Sequence, residues 1–393
     1  MTDVKRGREF LHTPGPTNIP DRILNAMHQP AVDFTAPPFV AMTRSCFADI
    51  KPIFQTEGPV FMYAANGHGA WEAALSNTLS PGDHILLPET GNFSLKWGMM
   101  AESLGLVIEH LPGDWRRAVD PDAVEQHLRD DDEGRIKAVL MVHVDTATGI
   151  ASDVPAVRKA MNNAGHNALF MVDTIASLAT MEFQMDEWGV DVALAASQKG
   201  LMCPPGLGFT ACSEKAMHAN QSAQLPRNYW DWQDRMTEAQ YIRFCGTAPI
   251  HLLYGLREAL DMLAEEGLGN TIARHQRLSS AIRAAVDTWC AGGEMAFNAT
   301  VPEQRSNSIT AIRVPGGFNA EEIRTMARER FQVSMGGGLD RLSGIVFRIG
   351  HMGDLNEPMI LGALGGVEAT LLAMGIPHGR GGVRAAIEFL VEN

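Results

Sequence analysis

Short apolar runs alternate with longer segments of helical periodicity through the first two thirds of the chain. The runs have the length and composition of buried parallel strands, and they occupy residues 60–65, 84–88, 106–111, 136–143, 168–172, 192–196 and 209–212. Helices are predicted between most of them. This alternation predicts an α/β fold with a largely parallel sheet that is covered on both faces by helices.

The pattern changes after Thr247. Two long amphipathic helices are predicted over residues 249–265 and 270–289, and mixed strands and helices follow at 308–314, 320–331 and 344–350. A proline-rich stretch before the first helix is predicted to be extended. We therefore predict an N-terminal arm over residues 1–20, a large domain over 21–268 and a smaller α+β domain over 269–393.

Composition and charge argue against several classes of protein. The 393-residue chain has a formal net charge of −14, which argues against nucleic acid as the main partner. No apolar run has the length of a membrane span, and the first residues lack the apolar core of a signal peptide. The five cysteines show no metal-binding spacing. We expect a reduced, cytoplasmic protein without a metal site or a membrane partner.

Lys199 follows one of the apolar runs and precedes a loop that contains two prolines and several glycines. A lysine at such a place can present its amine to a cavity, although most isolated lysines there are ordinary surface residues. Partial removal from water lowers the pKa of an amine, and a neutral amine can form a Schiff base with a carbonyl compound. Lys199 is therefore a candidate nucleophile.

Asp173 ends another apolar run. The carboxyl ends of parallel strands border one crevice, so Asp173 and Lys199 are expected to face it together. A pyridoxal 5'-phosphate enzyme requires this pair: a lysine for the cofactor's aldehyde and an acid that keeps its pyridine nitrogen protonated. A third run leads into Asn66, Gly67 and His68, a glycine-rich turn before a helix, which can aim backbone N–H groups at a phosphate.

Eight motifs resemble, in order, those of class V, fold-type I pyridoxal 5'-phosphate aminotransferases of the serine/alanine/aspartate–glyoxylate group. They are PGPTN at 14–18, NGHGAWE at 66–72, HVDTATG at 143–149, VD at 172–173, SQK at 197–199, PPG at 204–206, TAP at 247–249 and FRIGHMG at 347–353. The resemblance covers nearly the whole chain. It implies a large domain with a mostly parallel seven-stranded sheet between helices, and a smaller C-terminal α+β domain.

The resemblance also implies roles for individual residues. Lys199 would form the Schiff base with the cofactor and move a proton during the reaction, and Asp173 would pair with the pyridine nitrogen. Thr247 would reach the site of the neighbouring subunit, which implies a homodimer with shared active sites. The full set of implied cofactor contacts, besides Lys199 and Asp173, is Asn66, Gly67, His68, Phe93, Thr146, Gln198 and Thr247.

Substrate binding is implied for Arg348, Gly15 and Phe34. The guanidinium of Arg348 would hold the substrate's α-carboxylate with two parallel hydrogen bonds. Two departures from the family leave the amino donor open. Phe244 stands where relatives carry a tyrosine. Tyr241 or a water molecule would have to replace the missing tyrosine hydroxyl. The loop at residues 33–37, which should border the substrate, differs from that of serine–glyoxylate enzymes.

The predicted reaction moves the amino group of a small L-amino acid (serine, alanine or aspartate) to glyoxylate by ping-pong chemistry and gives glycine. An aspartate donor would need a second cation, for which Lys96, Arg117 and Arg243 are candidates. Another acceptor, as in pyridoxamine–pyruvate or aminoethylphosphonate aminotransferases, is the alternative. Cysteine desulfuration is disfavoured because residues 336–338 include no cysteine. The presence of both Lys199 and Asp173 disfavours a binding protein without catalysis.

Overall fold

A computed structural model describes residues 7–393. Its strands, in chain order, are β1 (Phe10–His12), β2 (Val60–Ala65), β3 (His84–Pro88), β4 (Val107–Leu111), β5 (Ile136–Val142), β6 (Val144–Asp145), β7 (Ile150–Ala151), β8 (Leu169–Asp173), β9 (Val192–Ala196), β10 (Gly206–Cys212), β11 (Ala296–Phe297), β12 (Ile309–Arg313), β13 (Val333–Gly337) and β14 (Val346–Gly350).

The helices cover the large sheet in the first part of the chain and form most of the last part. They are α1 (Asp21–Met27), α2 (Pro37–Asp49), α3 (Lys51–Phe54), α4 (Gly67–Thr78), α5 (Asn92–Ser103), α6 (Pro121–Arg129), α7 (Val154–Asn163), α8 (Glu214–Asn220), α9 (Trp232–Arg235), α10 (Gln240–Arg243), α11 (Ile250–Glu266), α12 (Leu268–Ala291), α13 (Ala320–Phe331), α14 (Glu357–Ala373) and α15 (Gly382–Glu392).

Seven strands form the large sheet, in the order β2-β10-β9-β8-β5-β3-β4. All pairings are parallel except those of β10, which runs antiparallel to both β2 and β9. Buried apolar residues cover both faces. In β5, Val139 and Met141 belong to one cluster, and Ala138 and Leu140 belong to the cluster on the other face. The predicted seven-stranded, mostly parallel sheet between helices is confirmed.

Local sequence explains where two helices begin. Helix α2 begins at Pro37, because a proline in the first turn has no N–H that an intrahelical hydrogen bond would need. Helix α4 begins at Gly67, because the Asn66 side chain caps it. Among the helices of residues 7–393, none is long and apolar enough to cross a membrane.

A second, mostly antiparallel sheet has five strands, in the order β1-β13-β14-β12-β11. The smaller C-terminal α+β part is therefore present, with its own apolar cluster. Strand β1 belongs to the predicted arm and pairs in parallel with β13. From β1 the arm continues to the loop of the large domain that contains Gln198. The domain boundaries at residues 20 and 268 stay predictions.

Candidate active site

A cavity of about 280 Å³ lies at the carboxyl edge of the large sheet. Lys199 follows β9 and Asp173 ends β8, and these strands are neighbours in the sheet. Both side chains line the cavity, together with Gly15, Pro16, Asn66, Gly67, His68, Trp71, Phe93, Val144, Thr146, Ile175, Gln198 and Pro205. The structure therefore brings together nine of the predicted site residues in one place.

The Lys199 side chain is buried, and its Nζ donates a hydrogen bond to the backbone oxygen of Pro14 in the arm. Burial lowers the pKa of Lys199 to about 7, the positive charge of Arg348 adds to this effect, and Asp173 opposes it. A large fraction of the amine is therefore neutral near pH 7. A neutral amine is the form that attacks an aldehyde carbon.

Gly15 lies against this lysine. A Cβ at residue 15 would be 2.6 Å from both Cε and Nζ of Lys199, and the φ of +120° suits glycine alone. The backbone N–H of Thr17 also donates to the oxygen of Gln198, at 3.2 Å. The arm therefore packs directly on the loop that carries Lys199, and a side chain at residue 15 would displace one of them.

The Asp173 carboxylate is buried, and both of its oxygens accept a hydrogen bond. Oδ1 accepts from the backbone N–H of Ile175 at 2.7 Å, and Oδ2 accepts from the indole Nε1–H of Trp71 at 2.8 Å. Burial raises the pKa of Asp173 to about 7, and the two hydrogen bonds oppose that rise. The charged form is therefore held in place by specific donors against the cost of burial.

The N-terminus of α4 forms one side of the cavity. The Asn66 side chain accepts hydrogen bonds from the backbone N–H groups of His68 and Gly69, at 3.1 and 3.4 Å. Asn66 therefore acts as the helix cap, and its oxygen uses two of the N–H groups that a phosphate could otherwise contact. Gly67 packs against Ile175, and a Cβ at residue 67 would be 2.3 Å from the Ile175 Cδ1.

Asp145 was not predicted as a site residue, yet it organises the opposite side of the cavity. Its buried carboxylate accepts backbone hydrogen bonds from Phe93 and Ser94 at the start of α5, at 3.0 and 3.2 Å, and from Ala147 at 2.9 Å. Burial raises the pKa of Asp145 to about 6. Asp145 thereby fixes both Phe93 and the turn that contains Thr146. Its place next to Thr146 in the HVDTATG motif was the available signal.

Trp71 is the second residue that sequence reasoning missed. Its indole is fully buried, lines the cavity and reaches Asp173 across 102 positions of sequence. The NGHGAWE motif includes Trp71, but an indole on an apolar helix face has the pattern of an ordinary core residue. Only the packing of α4 on the large sheet gives it a polar partner.

Arg348 lies beside the cavity, in β14. Its Nε donates to the Gly337 oxygen at 2.7 Å and its Nη1 to the Thr146 oxygen at 2.6 Å, while Nη2 has no hydrogen-bond partner within residues 7–393. Burial lowers the pKa of Arg348 to about 10, and Asp145 opposes that shift. The guanidinium is therefore held by backbone oxygens next to Thr146 and keeps a free N–H edge.

Thr247 and Phe34 do not line this cavity. Thr247 is exposed in the single chain, which is expected of a residue that contacts a neighbouring subunit. Phe34 packs on the core of the large sheet. Phe244 is fully buried near Phe47, and Tyr241 is exposed. The roles predicted for Thr247 and Phe34 stay predictions.

Comparisons with known proteins identify the family of the chain. Residues 54–342 match the family model described as aminotransferase class-V. The chain belongs to the class V aminotransferases. Enzymes of this family depend in general on pyridoxal 5'-phosphate, and the fold predicted for them, fold type I, is confirmed here.

Among curated class V relatives, the chain is 44% identical to the serine–glyoxylate aminotransferase of Methylorubrum extorquens, over 98% of this chain and 97% of that one. It is 41% identical to the L-aspartate–glyoxylate aminotransferase of Paracoccus denitrificans, over 96% of this chain and 95% of that one. The solved ureidoglycine–glyoxylate aminotransferase of Bacillus subtilis superposes with a TM-score of 0.89 at 26% identity, covering 99% of this chain and 100% of that one.

Proposed function

We propose that this class V aminotransferase uses pyridoxal 5'-phosphate to transfer the amino group of a small L-amino acid to glyoxylate. The observation that carries the proposal is the meeting of Lys199 and Asp173 in one cavity next to the N-terminus of α4. Relatives that share over 40% of the sequence along nearly their whole length bear names of glyoxylate aminotransferases. Serine, alanine and aspartate are the candidate donors.

The residues of the cavity fit the cofactor. The amine of Lys199 suits its aldehyde, the Asp173 carboxylate suits its pyridine nitrogen, and Phe93 offers an aromatic face. Gly67, His68, Gln198 and the positive end of α4 suit its phosphate, although the Asn66 side chain already accepts from the N–H groups of His68 and Gly69. Thr146 suits its ring hydroxyl. The cofactor, when bound, would supply an electron sink for the substrate's Cα. Lys199 would then take the proton from that Cα and deliver it again.

The substrate's carboxylate would bind to Arg348. Amino acid and 2-oxo acid share a carboxylate next to the reacting carbon, so one group can serve both halves of a ping-pong cycle. Arg348 supports this role because its Nη2 is free among the described residues and its orientation is set by the oxygens of Gly337 and Thr146. A pre-oriented guanidinium loses little freedom when it binds a carboxylate.

Replacing Arg348 with alanine is expected to lower kcat/KM in both half-reactions by similar factors, at least about 30-fold, because a charge-assisted contact to a desolvated carboxylate is lost. Arg348→Lys should recover only part of the loss, since lysine lacks the planar fork. Stopped-flow absorbance of the two half-reactions measures both factors. A loss confined to the donor half-reaction would mean that Arg348 recognises the donor side chain.

Replacing Gly15 with alanine is expected to lower kcat/KM by about 10- to 100-fold, because the new Cβ collides with Lys199 and a small misplacement of a reacting group is costly. Gly317→Ala is the matched control: it also has a positive φ, +86°, but nothing lies within 4 Å of its Cβ position. Steady-state kinetics and thermal unfolding of both variants separate the collision from backbone strain. Equal activity of both variants would contradict this reading of Gly15.

The donor depends on whether a second cation can reach the substrate. Arg117 is exposed and lies 3.6 Å from Asp114, and Arg243 lines a different cavity, next to Phe47 and Val60. Lys96 on α5 is exposed and close enough to His68 to help lower the pKa of that imidazole. Of the three candidates, Lys96 is therefore the one near the site. We expect Lys96→Ala to weaken aspartate more than serine if aspartate is a donor.

A matrix of half-reactions tests the proposed function. The purified enzyme with pyridoxal 5'-phosphate is mixed with serine, alanine or aspartate, and the aminated enzyme with glyoxylate or pyruvate, while the cofactor absorbance is recorded. Conversion with a small amino acid and reversal by glyoxylate supports the proposal. Reversal by pyruvate but not by glyoxylate would favour a different acceptor, and no cofactor absorbance at all would overturn it.

The proposed enzyme is a cytoplasmic homodimer. The exposed position of Thr247, outside the cavity of its own chain, supports a site completed by a second subunit. All five cysteines are unpaired, as is common in a reducing compartment. Sedimentation of the purified enzyme tests the dimer. Mixing inactive Lys199→Ala with inactive Thr247 variants and recovering activity would demonstrate that the sites are shared.

A further inference from the structure

Trp71 forms a link between the helix that faces the cavity and the buried carboxylate of Asp173. Its Nε1–H donates to Asp173 Oδ2 at 2.8 Å. Within residues 7–393 this is the one hydrogen bond that a side chain donates to Asp173, because the other donor is the backbone N–H of Ile175. The indole therefore supplies a contact that a substitution can remove without changing the backbone.

The environment of Asp173 makes such a donor important. The carboxylate is buried, and the nearby Asp145 adds a repulsion that further disfavours its charge. The charge of Lys199 helps only when that amine is protonated, and burial disfavours its protonated form as well. Neutral donors with fixed positions therefore have to stabilise the charged carboxylate.

Three aromatic rings lie close to the indole. Its centroid lies 5.9 Å from that of Trp97 in a stacked pair, 6.3 Å from that of Phe93 and 4.3 Å from that of His68. This packing and the burial of the indole restrict its rotation away from the carboxylate. The hydrogen bond is thus pre-organised, and each Asp173 oxygen accepts one N–H and keeps a further lone pair.

We propose that Trp71 is a positioning residue of the reaction: its indole N–H keeps the Asp173 carboxylate charged and fixes the orientation in which it faces the cavity. This inference rests on the proposed function, because only a cofactor with a basic ring nitrogen requires the Asp173 carboxylate to be charged and oriented. The ring of Trp71 lines the cavity, but the role that we assign to its N–H acts through Asp173.

Trp97 provides a matched control within the same stack. It is fully buried like Trp71, and its Nε1 has no hydrogen-bond partner among the described residues. Trp97→Phe therefore removes ring area and leaves the Asp173 hydrogen bonds in place, whereas Trp71→Phe removes ring area and one of those bonds. Trp71 also lines the cavity, whereas Trp97 does not. The pH dependence of the difference between the two variants therefore separates the lost N–H from the lost ring area.

The first measurement uses the enzyme before cofactor is added. Aspartate labelled with carbon-13 marks the carboxyl bands in infrared spectra, and Asp173→Asn identifies the band of Asp173. Loss of a hydrogen bond to a charged group should raise the pKa of Asp173 by about one to two in Trp71→Phe. Trp97→Phe should leave it unchanged. Equal pKa values in the two variants would overturn the proposal.

The second measurement is the dissociation constant for pyridoxal 5'-phosphate as a function of pH. A smaller charged fraction of Asp173 at pH 7 should weaken binding by Trp71→Phe about tenfold relative to Trp97→Phe. That ratio should shrink as the pH rises, because Asp173 then loses its proton in both variants. A ratio independent of pH would mean that Trp71 contributes only packing.

A third variant keeps the test decisive if Trp71→Phe folds poorly. Benzothienylalanine at residue 71 has sulfur in place of the indole N–H and nearly the same shape, so it should raise the pKa of Asp173 as Trp71→Phe does. An unchanged pKa in this variant contradicts the inference. If the wild-type protein binds no cofactor while these pKa differences are present, the proposed function fails and the link between Trp71 and Asp173 stands.

Discussion

Replacing Lys199 with alanine is expected to abolish transamination, with a loss of about a thousandfold or more, because the amine that we propose attaches the cofactor and moves the proton is gone. The fold should persist, since the side chain ends in a cavity and its hydrogen bond goes to the arm. The cofactor absorbance of the resting enzyme should lose the band that shifts when amino acid is added.

Lys215 is a suitable control for this variant. It is half-buried in the same large domain, donates to the Ala168 oxygen at 2.8 Å and lies 3.6 Å from Asp191, away from the cavity. Lys215→Ala should keep the rate and lose some stability. Turnover of Lys199→Ala at the wild-type rate would contradict the whole assignment of the site.

Replacing Asp173 with asparagine is expected to slow the reaction by about a hundred- to a thousandfold, the loss typical when a group that stabilises developing charge is removed. An amide cannot keep the pyridine nitrogen protonated, so removal of the substrate's Cα proton becomes harder. A larger kinetic isotope effect with the α-deuterated form of the amino donor would demonstrate that this step is slowed.

Asp131→Asn is the control for a buried carboxylate outside the site. Asp131 accepts hydrogen bonds from the backbone N–H groups of Arg135 and Ile136, and its Oδ2 lies 3.1 Å from His166 Nε2. This variant should lose stability and keep its rate. An unchanged rate in Asp173→Asn would mean that another acid protonates the cofactor's ring nitrogen.

The amino-acid sequence determined the large sheet and the centre of the site. Apolar runs of strand length between amphipathic helices leave few alternatives to a parallel sheet covered on both faces. Once that sheet is accepted, Asp173 at the end of one run and Lys199 after the next must lie on its carboxyl edge. Their proximity follows from the direction of parallel strands, without knowledge of any other contact.

The tertiary structure decided which groups surround those two residues. Trp71 and Asp145 have ordinary local patterns, and their roles come from partners 102 and 52 positions away in the sequence. The arm's position on Lys199 depends in the same way on pairing between β1 and β13, over 300 residues apart. Such contacts depend on how complete helices and strands pack against each other. The local periodicity of the sequence indicates only which face of each helix or strand is buried. The sequence alone therefore specified that Lys199 and Asp173 lie close together, and the packing of α4, the arm and β14 specified the groups that position them.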